Sequence, residues 1–231
     1  MPTDSFRAPV PEAVQIAGRV GSLEARAEDP SPGSRPTAVG VVCHPHPLYG
    51  GTMQNKVVHT VARAMQERSV PTVRFNFRGV GQSAGEHDAG RGEVDDALAV
   101  IAWARARWNC QPLWLAGFSF GAAVALQACA TANPDALVTV APPVKRVPID
   151  LERAPTCPWL IVQGDHDDLV DHRDVVDWAQ RFTPPPRLSV IAGAEHFFHG
   201  RLTDLRTAVG EFLGSLEKAA APAAGQGAPG P

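Results

Sequence analysis

Residues 112–130 read Pro-Leu-Trp-Leu-Ala-Gly-Phe-Ser-Phe-Gly-Ala-Ala-Val-Ala-Leu-Gln-Ala-Cys-Ala. The opening residues form a short apolar run of strand type, and the closing ones a small-residue run of helical length. Between them stands Gly117-Phe118-Ser119-Phe120-Gly121, a G-x-S-x-G pattern at a strand-to-helix junction. The pattern has a steric reason. A serine on a tight, strained turn lets strand and helix approach closely, so the residues two before and two after it must be small. Gly117 and Gly121 meet that need, and Ala122 and Ala123 extend the small surface. Such a turn lifts the Ser119 hydroxyl above the sheet edge and aims the first N–H groups of the helix at any negative charge developing beside it.

Working outward, apolar runs alternate with amphipathic segments. Ala13 to Glu28 reads as an opening strand pair around Gly21, Ala38 to Cys43 as a buried strand, and Asn55 to Glu67 as a helix with Val58, Val61, Ala62 and Met65 on one face. Thr72 to Phe77, Ala136 to Val140, Trp159 to Val162 and Arg187 to Ala192 read as further strands. Helices are expected after the Gly-rich loop 78–92, over 121–130, over 173–181, and at the end, where Leu202, Leu205, Val209, Phe212, Leu213 and Leu216 share a stripe. Continuous apolar strands, each followed by a helix, imply a mostly parallel sheet covered on both faces. Ligands of such sheets sit beyond the C-terminal strand ends, so chemistry is sought in the residues just after each strand.

A serine hydroxyl needs a base to take its proton. At a nucleophile elbow the partners follow in the order acid, then histidine. Past the last strand, Gly193-Ala194-Glu195-His196-Phe197-Phe198-His199 offers His196 as the better placed imidazole, with His199 expected to start the final helix. The strand at 159–162 is followed by Gly164-Asp165-His166-Asp167-Asp168-Leu169-Val170-Asp171. A carboxylate there would hold the imidazole tautomer and stabilise the imidazolium. Spacing does not choose among Asp165, Asp167 and Asp168; those not used are expected to serve turns and helix caps.

The segment His44-Pro45-His46-Pro47-Leu48-Tyr49-Gly50-Gly51 follows the strand at 38–43 and is placed to supply a second backbone donor to an oxyanion, beside that of Phe120. Pro45 and Pro47 have no N–H, which leaves His46 or Leu48, and His46 is preferred. His44 and His46, with the Asp165 to Asp171 segment and His199, also raise a zinc site. That alternative leaves Ser119 unexplained, so no metal and no cofactor is expected.

The chain has 231 residues, 44% of them hydrophobic, which suits one domain with a substantial core. The domain is expected over 13–218, after an arm at 1–12 and before an Ala/Pro/Gly tail at 219–231 that cannot bury a core. A formal charge of −3 gives no reason to expect a nucleic-acid partner. No run approaches the roughly 20 apolar residues of a membrane span, and the N-terminus lacks a secretory-signal pattern. Cys43, Cys110, Cys129 and Cys157 form no C-x-x-C pair and read as free thiols of a reducing compartment, hence a cytoplasmic location.

Five segments, HPHPLYGGTMQNKVV (44–58), FNFRGVGQSAGEHDAGRGEVDD (75–96), GFSFGA (117–122), QGDHDDLVD (163–171) and GAEHFFHGRL (193–202), together resemble the small lidless bacterial α/β-hydrolases, relatives of the dienelactone-hydrolase and esterase group. The resemblance spans Val14 to Leu216. It implies an α/β-hydrolase fold: a mostly parallel twisted sheet of about eight strands with helices on both faces and no cap domain. It places the nucleophile on Ser119, the acid on Asp167, the histidine on His196 and the second oxyanion donor nearest His46, and gives Arg78 a structural role. The expected activity is hydrolysis of a small ester or thioester by a monomer or homodimer; the alternatives are a peptidase, a dienelactone or carbon–carbon hydrolase, and a catalytically silent scaffold. The 141–157 connection is too short for a helical lid, so the site is expected to be open. Phe118, Phe120, Phe197 and Phe198 are candidates to line it or to pack in the core.

Overall fold

The computed structural model describes residues 10–147 and 154–220. Eight strands and five helices follow in the order β1 (Glu12–Gly18), β2 (Gly21–Glu28), β3 (Val39–Cys43), α1 (Lys56–Gln66), β4 (Thr72–Phe75), α2 (Arg91–Arg107), β5 (Leu113–Phe118), α3 (Phe120–Ala132), β6 (Ala136–Val140), β7 (Trp159–Gly164), α4 (His172–Ala179), β8 (Arg187–Ile191) and α5 (Leu202–Ala220). The first strand begins at Glu12, and α5 runs two residues into the stretch read as tail. The remainder of that tail, and most of the arm, lie outside the described residues.

The strands form one sheet in the order β1-β2-β4-β3-β5-β6-β7-β8. The β1–β2 and β2–β4 pairs are antiparallel, and every pair from β4 through β8 is parallel. Period-two alternation divides the strand side chains between the two faces. Leu113 and Leu115 of β5 join a core with Val100, Ile101 and Ala104 of α2, Val124 of α3 and Val175 of α4. Trp114, Ala116 and Phe118 join the opposite core with Val58, Val61 and Met65 of α1 and Leu205, Val209 and Phe212 of α5. Each fully buried Leu, Val or Phe contributes about 1.5–3 kcal/mol relative to exposure.

The parallel register aligns the strand ends that matter. Cys43 pairs with Gly117, Phe118 with Val140, and Gly164 with Ile191. The loops after β3, β5, β6, β7 and β8 therefore leave the sheet along one edge.

Helix starts follow local chemistry. Asn55 Oδ1 accepts the Val57 N–H at 2.8 Å ahead of α1, and Asp171 Oδ1 accepts the Arg173 N–H at 2.9 Å ahead of α4. Glu93 reaches back to the Gly90 N–H at 2.8 Å ahead of α2. The helix expected over 173–181 runs from His172 to Ala179, and α5 starts at Leu202, so His199 stays in the preceding turn, where it pairs with Glu195.

The Gly-rich loop between β4 and α2 is anchored by Arg78, as its structural reading implied. Its guanidinium lies on Asp96 of α2, with Nη2 to Oδ1 at 2.7 Å and Nε to Oδ2 at 3.0 Å, and its own N–H donates to Oδ2 at 2.9 Å. Both side chains are buried. No helix among the described residues is long and apolar enough to cross a membrane. The four cysteines are free thiols; burial pushes the Cys157 thiol up to about 11 and those of Cys43 and Cys129 higher still.

Asp96→Ala strands a buried guanidinium and is expected to destabilise the fold by about 3–5 kcal/mol. Urea unfolding measures this, and a loss below about 1 kcal/mol, the range of an exposed pair, would contradict the anchoring role.

Candidate active site

Ser119 occupies the turn between β5 and α3 with φ 53° and ψ −119°, a conformation costly for a side chain with a Cβ. Its N–H donates to Val140 O at 2.8 Å, and its carbonyl accepts the Ala122 N–H at 2.8 Å. The flanking glycines are there by contact. A Cβ on Gly117 would stand 2.0 Å from Gly121 O, and one on Gly121 would stand 2.4 Å from the carbonyl oxygens of Cys43 and His44. The second contact seats the start of α3 directly against the loop after β3.

His196 comes from the loop after β8, with its ring packed against Phe118 and Phe197, both at a centroid distance of 5.1 Å. Its Nδ1–H donates to Asp167 Oδ2 at 2.8 Å, which leaves Nε2 to accept the Ser119 hydroxyl at 3.1 Å. The three side chains thus form one hydrogen-bonded chain.

The structure brings Asp167, rather than its neighbours, to the imidazole. Asp167 Oδ1 accepts the N–H groups of Leu169 at 2.9 Å and Val170 at 2.7 Å, and Oδ2 also accepts from Gln163 Nε2 at 2.9 Å. Burial opposes ionisation of this carboxylate, but the bonds from His196 and the two backbone N–H groups outweigh it and hold the pKa below the ordinary value. Asp165 instead accepts the Gly193 N–H at 2.6 Å, Asp171 caps α4, and Asp168 is exposed.

His46 caps a 3₁₀ turn, Pro47–Tyr49, with its Nδ1 accepting the Leu48 N–H at 3.2 Å. Leu48 has thereby committed its donor, whereas the N–H groups of His46 and Phe120 make no hydrogen bond among the described residues. The His46 ring packs near Tyr49, His87 and Phe120 at centroid distances of 4.8–5.0 Å. Partial burial, then the neighbouring His87, lowers its pKa, so the neutral ring carries its proton on Nε2. His44 has both ring nitrogens engaged, Nδ1–H to Pro45 O at 2.6 Å and Nε2 from the Phe77 N–H at 3.0 Å. It braces this loop and has no nitrogen left for a metal. Burial lowers its pKa to about 4.

Ser119 and His196 open on a cleft of about 350 Å³. Of the four phenylalanines considered for its wall, Phe120 lines it; Phe118 and Phe198 are buried in the core, and Phe197 is partly exposed outside it. The sequence reading passed over Tyr49 from the β3 loop, Arg146 and Val147 from the β6 loop, and Leu169 from the β7 loop, all of which line the cleft. The rule that ligands meet residues just past the strand ends would have found them.

The His44 imidazole gives a pH signature. The unfolded chain takes up a proton below about pH 6.5 that the folded chain refuses until about pH 4. This contribution to stability is complete above pH 6.5 and is lost as pH falls through that window, by about 3 kcal/mol. Urea unfolding between pH 7 and 4 is expected to trace that loss. In His44→Gln, whose amide can serve both partners without titrating, the limb should flatten; an unchanged slope would refute the assignment.

The model of the family described as serine aminopeptidase, S33, matches residues 35–154. The lidless α/β serine hydrolase XC6422 of Xanthomonas campestris superposes with a TM-score of 0.85 at 41% identity, over 92% of this chain and 98% of that one. An α/β serine hydrolase homologue from Coxiella burnetii gives 0.83 at 44% identity, over 87% and 97%. A curated relative, an uncharacterized Rickettsia prowazekii protein, is 34% identical over 211 residues, 87% of this chain and 86% of its own length. With the elbow, the sheet order and these similarities together, the chain belongs to the lidless bacterial α/β serine hydrolases.

Proposed function

We propose that this serine hydrolase cleaves small carboxylic esters or thioesters through an acyl-enzyme. The observation that carries this reading is the continuous chain from Ser119 Oγ through His196 to Asp167, at 3.1 and 2.8 Å. Ser119 attacks the acyl carbon while His196 Nε2 takes its proton, and the departing alcohol or thiol takes that proton from the imidazolium. Asp167 holds the ring and steadies its positive charge. The oxyanion is received by the N–H groups of Phe120 and His46, which make no hydrogen bond among the described residues. Water then attacks the acyl-enzyme, with His196 again as base, and releases the acid.

The family description also suggests an aminopeptidase. Recognition of an amino terminus calls for an anionic group facing the cleft, and among the described lining residues there is no carboxylate. The free thiols suit a reducing compartment, and we place the protein in the cytoplasm as a monomer or homodimer.

Wild-type protein is expected to react with a fluorophosphonate probe and to turn over short-chain aryl esters. Ser119→Ala should abolish labelling and lower kcat by roughly 10⁴–10⁶-fold. Asp167→Asn should cost roughly 10³–10⁴-fold. A panel of esters, thioesters, aminoacyl amides and a dienelactone separates the bond types; undiminished turnover by Ser119→Ala overturns the reading.

A further inference from the structure

The loop after β6 is a compact turn, with the N–H groups of Arg146 and Val147 donating to Pro143 O at 3.0 and 3.1 Å. Its two cations diverge. Lys145 pairs with Asp174 of α4 at 2.6 Å, whereas Arg146 lines the cleft beside Ser119 and makes no ion pair among the described residues. Besides Ser119 and His196, the other polar side chains that line the cleft can also donate: the His46 ring, whose Nδ1 accepts the Leu48 N–H and whose proton is therefore on Nε2, and the Tyr49 hydroxyl. Two nearby carboxylates are buried and already engaged: Asp167 is committed behind His196, and Glu93 pairs with His87 and accepts the N–H groups of Asp88 and Gly90. Val147 and Leu169 supply apolar wall to the same cleft. A ligand complementary to the cleft has a short apolar stem ending in an anionic acceptor, and a guanidinium with neighbouring N–H and O–H donors matches a carboxylate.

We infer that the substrates are esters bearing a carboxylate on one arm, and that Arg146 is the residue that selects them. The inference rests on the esterase reading above and adds the substrate class. Among the described residues Arg146 makes no hydrogen bond to the serine or the imidazole, so it acts on binding and orientation.

Two matched ester pairs test it: an aryl hydrogen adipate against its methyl-capped neutral form, with the charge on the acyl arm, and an acetyl ester of a hydroxycarboxylic acid against its methyl ester, with the charge on the alcohol arm. In at least one pair, kcat/KM for the charged member should exceed that of the neutral one by about tenfold, mainly through KM, and the ratio should shrink with added salt. Arg146→Gln should erase the ratio, Arg146→Glu should invert it, and Arg146→Lys should keep part of it, with unchanged thermal melting showing that each variant is folded. A preference for the neutral member in both pairs, or a ratio that survives Arg146→Gln, overturns the inference while the esterase reading stands. No turnover of any of the four esters by a protein that also resists the fluorophosphonate overturns both.

Discussion

Strand β5 and helix α3 meet so closely around Ser119 that neither flanking position has room for a Cβ, and everything chemical in the molecule is placed by that contact. Gly117 lets the strand end lie on the first turn of the helix. Gly121 lets the same turn lie on the carbonyls of Cys43 and His44. The serine backbone is thereby held at a positive φ that it would not adopt unaided. Three further strands complete the support: the Ser119 N–H is bonded to the end of β6, and the parallel register carries the ends of β7 and β8 to the same edge. A hydrogen bond between side chains 77 positions apart becomes an ordinary consequence of sheet pairing.

The surroundings sort charge as the chemistry requires. Asp167 is ionised in a buried place because its oxygens accept from one imidazole, one amide side chain and two backbone N–H groups. His44 is kept neutral and braces the β3 loop, and His46, also neutral, has its ring orientation set by the Leu48 N–H. The result is a negative charge behind the imidazole and donors in front of the serine, the polarity an acyl-transfer transition state calls for.

Much of this was legible in the sequence because it is local. The G-x-S-x-G turn, the apolar strands and the amphipathic stripes of α1 and α5 are set by short-range sterics and side-chain periodicity. Chain order and strand ends were enough to nominate His196 and a carboxylate in the β7 loop. The choice of Asp167 among its neighbours came from resemblance to a family pattern, and its physical reason appeared only when the loop folded. Asp165 is spent on the Gly193 N–H and Asp168 faces solvent. The boundaries that moved, such as His199 falling outside α5, depend on how a turn closes, here with His199 paired to Glu195.

By itself the sequence determined the elbow, the alternation of strands and helices, and the order in which the candidate site residues arrive, because each follows from residue size, periodicity and succession along the chain. Only the tertiary structure decided which aspartate meets the imidazole, which loop N–H is left unbonded among the described residues, which phenylalanine lines the cleft, and that Arg146 joins it. Those outcomes turn on the packing of loops distant in sequence against one sheet edge, and no local pattern encodes which side chain is left facing the gap.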